Sequence, residues 1–238
     1  MKLTTVLFDL DGTLLPMDQE IFIKDYFRRL AAKLAPYGYE PDKLTQAVWQ
    51  GTKAMIKNTG SVSNEVAFWK AFDAHLGCAA SQNAAVHMDF YRNEFNQVQK
   101  VCGFQPMAAP LIHSLRQKGV RIVLATNPLF PAIATENRIR WAGLNPEDFD
   151  YISVFENSHY SKPNPDYYRE ILEKLSLSPS ECLMVGNDVS EDMVTKALGM
   201  QVFLLTDCLI NKENADISQY PHGNFQQLCA YLENVFPI

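Results

Sequence analysis

Val6-Leu7-Phe8-Asp9-Leu10-Asp11-Gly12-Thr13-Leu14 is the stretch on which the fold turns. Three apolar residues run straight into two aspartates spaced i and i+2, and a glycine follows at once. Continuous rather than alternating hydrophobicity marks a strand buried on both faces, as in a parallel sheet covered by helices. Three further runs share that character, Val120 to Ala125, Cys182 to Val185 and Val202 to Leu205, with Tyr151 to Phe155 as a weaker fifth. Helical patterns lie between them. Leu111, Leu115 and Lys118 ahead of Gly119 read as a helix with a glycine C-cap, and Asn164-Pro165 reads as the N-cap and first residue of a helix reaching Leu175. Strand, helix, strand, helix predicts an α/β fold, a doubly wound parallel sheet of Rossmann-like type.

Residues 16–104 interrupt that alternation with helical stripes and no strand run. One helix starts at Asp18, turns Ile23, Phe27, Leu30 and Leu34 inward, and ends near Pro36-Tyr37-Gly38. A second begins at Pro41 and carries Leu44, Val48 and Met55; a third carries Phe68, Phe72 and Leu76 and stops at Gly77; a fourth carries Val86, Phe90 and Phe95. The expected organisation is an α/β core of residues 1–15 and 105–238 with an all-helical insert of residues 16–104. Aromatic density of this kind marks the core of a helix bundle more readily than a cofactor pocket.

Composition narrows the function classes. The 238 residues are 47% apolar and 20% charged, which suits an ordinary folded domain. Lys and Arg number 21 against 27 Asp and Glu, a net charge of −6, and no basic run exceeds Arg28-Arg29, so a nucleic-acid footprint is not expected. No run approaches the roughly 18 apolar residues a membrane span requires, and Asp9 and Asp11 break the N-terminal apolar stretch as no signal-peptide core would. The expectation is a cytoplasmic chain starting at Met1, with a small molecule as its partner. Cys78, Cys102, Cys182, Cys208 and Cys229 are scattered and form no C-x-x-C pair, which reads as reduced thiols. The five histidines show no ligand spacing either, so zinc is not expected.

Ligands of open α/β sheets bind beyond the carboxyl ends of the strands. The polar residues there are Asp9 and Asp11 after the first run, Thr126-Asn127 after the second, and Gly186-Asn187-Asp188 with Asp192 after the run at Cys182; Lys162 precedes Pro163 in a polar loop. Each piece alone reads as a turn or cap. Together they would gather Asp9, Asp11, Asp188 and Asp192 into one crevice, where four carboxylates need cations for compensation. Lys162 and a hard divalent ion supply it, and all-oxygen ligation argues for Mg²⁺. Two carboxylates at i and i+2 on one strand end face the same side, so one can attack while the other manages protons. Thr126, Asn127 and their amides would hold phosphate oxygens while Lys162 offsets developing charge.

These residues, in this order, resemble the four signature motifs of the haloacid dehalogenase superfamily, and the likeness runs through the whole chain. The helical insert after the first motif resembles that family's C1-type cap. The resemblance implies a phosphatase in which Asp9 is nucleophile and metal ligand, Asp11 is general acid and base with its backbone carbonyl on the metal, and Thr126 binds phosphate. It also implies that Lys162 stabilises nucleophile and transferring group, that Asp188 ligates Mg²⁺ and that Asp192 acts in the second shell. Many relatives have Gly-Asp where this chain has Gly186-Asn187, so either Asp188 or the Asn187 amide oxygen takes the metal position. Asp188 is favoured, because its spacing to Asp192 matches a common variant and an anion suits a hard cation better. Asp11 argues against dehalogenation, which needs no acid for its leaving group. The function expected is a Mg²⁺-dependent phosphatase of a small phosphorylated metabolite. A sugar-phosphate mutase and a phospho-ligand-binding regulatory module without turnover are the alternatives.

Overall fold

The computed structural model describes residues 2–77 and 84–237. Among these residues six strands form one parallel sheet: β1 (Thr5–Phe8), β2 (Arg121–Leu124), β3 (Tyr151–Ile152), β4 (Cys182–Gly186), β5 (Gln201–Leu205) and β6 (His222–Gly223). Their spatial order is β3-β2-β1-β4-β5-β6. The four strong apolar runs of the sequence are β1, β2, β4 and β5, with ends that agree to within one residue. The weaker fifth shrinks to β3. Ser153 N still donates to Leu124 O, but Val154 N turns to the Asn157 side chain, which ends the ladder there.

Helices cover both faces of the sheet, and successive residues of the continuously buried strands point into opposite cores. Val6, Phe8, Ile122, Leu124, Leu183 and Val185 face one core, shared with α5 (Ala108–Gln117), α6 (Ala132–Trp141) and α8 (Phe225–Val235). Leu7, Val123, Cys182 and Met184 face the other, shared with α7 (Pro165–Lys174). The chain runs outward from β1 through β2 to β3 and then crosses back to β4. That reversal puts the topological switch point between β1 and β4, the place where ligands bind in such sheets. In register, Phe8 pairs with Leu124 on one side and Val185 on the other, so the residues after these three strands leave the sheet side by side.

Between β1 and α5 the described residues hold α1 (Gln19–Leu34), α2 (Pro41–Ile56), α3 (Asn64–Leu76), α4 (Ala84–Arg92) and a 3-10 helix at Glu94–Val101. The predicted starts are there: Asp18 caps α1 by accepting from Glu20 N and Ile21 N, Pro41 opens α2, and Gly77 closes α3. Two details differ. In α1 the deepest residues are Phe22, Tyr26, Leu30 and Leu34, while Ile23 and Phe27 are half-buried. The fourth stripe breaks at Asn93, so Phe95 is carried by the 3-10 helix rather than by α4. These helices share one apolar core with the sheet: Phe130 meets Phe22, Tyr26 and Phe95 edge-on or tilted, and Phe95 packs against Trp141 of α6.

Cys102, Cys182, Cys208 and Cys229 are free thiols, and Cys78 lies outside the described residues. No helix among the described residues is long and apolar enough to cross a membrane.

Candidate active site

Asp9 leaves β1 while still tied to the ladder, since its N–H donates to Val185 O at 2.9 Å. The chain then folds back on itself, with Thr13 N and Leu15 N donating to Leu10 O and Gly12 N to Leu15 O. Gly12 has φ +85°, and a Cβ there would lie 2.3 Å from Asn187 Nδ2. A side chain at this position would therefore be strained and would also displace Asn187. Asp9 is 7% exposed.

Lys162 comes from the loop before α7 and is fully buried. Its Nζ donates to Asp9 Oδ1 at 2.9 Å and to Asp192 Oδ1 at 2.6 Å. Burial pulls the lysine's pKa down, but Asp192 and Asp9 outweigh it and hold the group well above its ordinary value. Lys162 is thus a fixed cation against the carboxylate that ends β1. Asp192 does more than pair with it: its Oδ2 accepts from Asp188 N at 3.0 Å and fills the space that a Cβ on Gly186 would occupy. Burial raises the Asp192 carboxyl against the pull of Lys162.

Thr126, 2% exposed, follows β2, and its carbonyl is pinned by Ser153 Oγ at 2.8 Å and Tyr167 OH at 2.7 Å. The neighbouring Asn127 donates to both oxygens of Glu191, at 3.2 and 3.1 Å, while its own Oδ1 is buried without a partner. Asp188 Oδ1 accepts from Ser190 N and Glu191 N, which closes the turn after β4. Asn187 donates to Cys208 O at 2.7 Å, an anchor that directs its Oδ1 to the Thr13 hydroxyl at 3.1 Å. The same hydroxyl lies 3.2 Å from Asp9 Oδ2. A hydroxyl carries one proton, so two oxygen acceptors meet across a single donor.

All of the predicted groups except Lys162 line one cavity of about 160 Å³, and Lys162 forms its buried floor through Asp9 and Asp192. Met17, Gln19, Phe22 and Ile23, ahead of and in α1, close it from above. Three further residues escape a sequence reading. Thr13 bridges Asp9 and Asn187; its place beside Gly12 in the first motif is the only signal. Glu191 sits inside the Asp188…Asp192 segment; burial, opposed by Lys162 and helped by Asp192, lifts its pKa to about 7. Arg138 of α6 is buried outright, with its guanidinium 4.5 Å above the Phe130 ring, and it donates to Thr135 Oγ1 and to Asp11 Oδ2. Nothing in the sequence distinguishes this arginine from a solvated one on a helix face. Burial raises the Asp11 carboxyl even though Arg138 pulls it down, and Asp11 Oδ1 is left without a partner.

The donor chemistry suits a hard cation. Five carboxyl groups line the cavity, Asp9, Asp11, Asp188, Glu191 and Asp192, against the two buried cations Lys162 and Arg138. The unpartnered Asp11 and Asn127 oxygens and the oxygens crowded at Thr13 are electron-rich and short of donors. Among the described residues no group of three His, Cys, Asp or Glu side chains is placed to hold a metal by itself. A site built from two carboxylates and a backbone carbonyl, with water and phosphate completing six oxygens, does not require one.

The model of the haloacid dehalogenase-like hydrolases matches residues 3–195. The chain is 29% identical over 197 residues to a bifunctional riboflavin kinase/FMN phosphatase of Arabidopsis thaliana, covering 83% of this chain but only 47% of that protein's length. It is 25% identical over 207 residues to a ribulose-1,5-bisphosphate 5-phosphatase of Halopiger xanaduensis, covering 84% of each. The crystal structure of a HAD phosphatase from Thermococcus onnurineus superposes with a TM-score of 0.59 at 18% identity, covering 100% of this chain and 98% of that one.

Proposed function

Because the chain belongs to the haloacid dehalogenase-like hydrolases, we propose that it is a Mg²⁺-dependent phosphatase that hydrolyses a small phosphorylated metabolite through an aspartyl-phosphate on Asp9. The observation that carries this reading is the pairing at the end of β1. Asp9 is held by Lys162 at 2.9 Å, and Asp11 stands two residues on beside the same cavity. A binding module would have no use for a nucleophile with an acid beside it. The phosphatase names of the relatives support the same class.

In the first step an Asp9 oxygen attacks phosphorus, the ester P–O bond breaks, and Asp11 gives its proton to the departing alkoxide. In the second, Asp11 takes a proton from water, the water oxygen attacks the same phosphorus, and the bond to Asp9 breaks to release phosphate. Thr126 and Asn127 hold the non-reacting oxygens, and Lys162 offsets the charge that builds on them. Mg²⁺, held by Asp9, the Asp11 carbonyl and Asp188, would neutralise phosphate charge when bound. Asp188 is the anionic candidate for the third position, since both hydrogen bonds to its carboxylate fall on Oδ1. We read residues 16–104 as a cap over a core of residues 1–15 and 105–238, because α1 roofs the cavity. The free thiols support a cytoplasmic setting.

The test is phosphate release from a panel of phosphomonoesters, with Mg²⁺ and after its chelation. Asp9→Asn is expected to fold normally and to lose nearly all turnover, because an amide does not form the acyl-phosphate. Activity within a few-fold of the parent, with deamidation excluded by mass spectrometry, would sink the covalent mechanism.

A further inference from the structure

The aromatic stripes of the helical segment do not pack shut. Between α1, α2, α3 and α4 they leave a cavity of about 120 Å³, walled by side chains such as Phe27, Trp49, Phe68 and Trp69. Among the described residues no Asp, Glu, Lys or Arg lines it. Two of its tyrosines, Tyr26 and Tyr91, spend their hydroxyls on each other at 2.9 Å. His87, 5% exposed, is also in the wall, and its Nε2 has no hydrogen-bond partner. Burial lowers the His87 pKa to about 4, so this ring adds no cation at neutral pH. Ile23, Leu129 and Phe130 line this cavity and the Asp9 cavity alike, so the two abut.

We propose that this cavity is the leaving-group subsite of the enzyme, and that the substrate is the phosphate monoester of an alcohol bearing an uncharged apolar group about the size of one six-membered ring. The proposal rests on the phosphatase reading above and adds the substrate class to it. Size sets one limit: an apolar cavity of ~150 Å³ stays dry and takes a benzene, and this one is slightly smaller. Chemistry sets the other. A sugar or a second phosphate placed here would lose its water and find in return no charge, only the Thr52 hydroxyl, the one proton the tyrosine pair leaves over and the free ring nitrogen of His87, which penalises polyhydroxylated and bis-anionic esters. The orphaned His87 Nε2 leaves a place for a single polar atom on an otherwise apolar group.

Benzyl phosphate and ethyl phosphate test this directly on the full chain with Mg²⁺. Both release primary alcohols of similar acidity, so their ratio reads binding rather than leaving-group chemistry. The expected kcat/KM ratio is about 30-fold in favour of benzyl, less than full burial of the five extra carbons would give. Thr52→Phe, which pushes a ring into the cavity from α2, should bring the ratio close to one. Benzyl alcohol, which carries no phosphate, should bind the parent protein and shift the NMR signals of Trp49 or Trp69. Turnover of both esters at equal efficiency would overturn the subsite and leave the phosphatase standing. So would a benzyl preference unchanged in Thr52→Phe, which places the preference elsewhere. Failure to hydrolyse any monoester while benzyl alcohol still binds at Trp49 or Trp69 would overturn the phosphatase reading and the substrate class drawn from it.

Discussion

Arg138 is the side chain that fixes where the Asp11 carboxylate points. It is wholly buried, stacks on Phe130 and bonds Thr135 as well as Asp11, so neither partner turns freely. If it positions the general acid, Arg138→Met should lower kcat on alkyl phosphates by about 10²-fold, the low end of what general-acid help contributes, and should spare aryl phosphates, whose leaving groups need little help. Arg138→Lys, which keeps the charge, should recover part of the loss. Equal losses across a leaving-group series would make Arg138 a structural residue. The metal position divides two neighbours in the same way. Asp188→Ala should raise the Mg²⁺ concentration needed for half-maximal turnover at least tenfold, whereas Asn187→Ala should act mainly through Thr13; a larger Mg²⁺ effect at Asn187 would hand it the ligand role. The groups placed after strand ends, Asp9, Asp11, Thr126 and Asp188, were legible because a parallel sheet delivers the residues after its strands to one edge. Arg138 was not, because its significance lies in burial, and a charged residue on a helix announces none.

Among the elements, α6 shows what hides a helix from its sequence. Its inward face is Ala134, Thr135, Arg138, Ile139 and Trp141, so two polar residues interrupt the apolar stripe that would have revealed it. The helix α8 had plain signals, an Asn224 cap with Gln227 three residues on and a stripe of Phe225, Leu228 and Leu232, which a reading centred on the strands passes over. In the helical segment the stripes predicted helices correctly but not how completely their faces would fill, because periodicity carries no volume. There α4 contributes the prediction that belongs to an element. His87 packs edge-on against Tyr39, Trp69 and Phe72, and burial holds its pKa at about 4 against an ordinary 6.5. Between those two values the unfolded chain binds the proton and the folded chain does not. Stability from this group is therefore undiminished above pH 6.5 and falls as the pH drops towards 4, by about 3 kcal/mol in all. His87→Phe should remove that slope. Urea unfolding of parent and variant at pH 7.5, 5.5 and 4.5 checks it, and parallel losses in the two proteins would mean that His87 is not what acid attacks.

At the scale of the whole molecule, the cavity around Asp9 has its floor on the sheet and its roof on α1, so separation of the two is the expected route of substrate entry. The chain crosses between them twice, and the crossings are laced together: Gly103 N donates to Pro16 O at 2.7 Å, and Met17 bridges Cys102. Two stretches of chain bound side by side make one hinge rather than two, and the helices are expected to turn as a body about Pro16 and Gly103. Resistance comes from the aromatic contacts of Phe130 with Phe22, Tyr26 and Phe95, and from Asn64, whose side chain donates to Tyr160 O and Ser161 Oγ beside Lys162. Asn64 thus ties the start of α3 to the loop that carries Lys162, so any movement of the helices is expected to be felt at Lys162. Asn64→Ala is expected to favour the open form, raising KM and lowering kcat together, where loss of a simple binding contact would raise KM alone. Small-angle scattering with and without Mg²⁺ and beryllium fluoride, a phosphate mimic, should show the parent contracting on ligand binding and the variant contracting less. Identical curves for the parent in both conditions would mean that the roof does not move, and substrate would then have to reach Asp9 through side-chain motion at Gln19 and Met17.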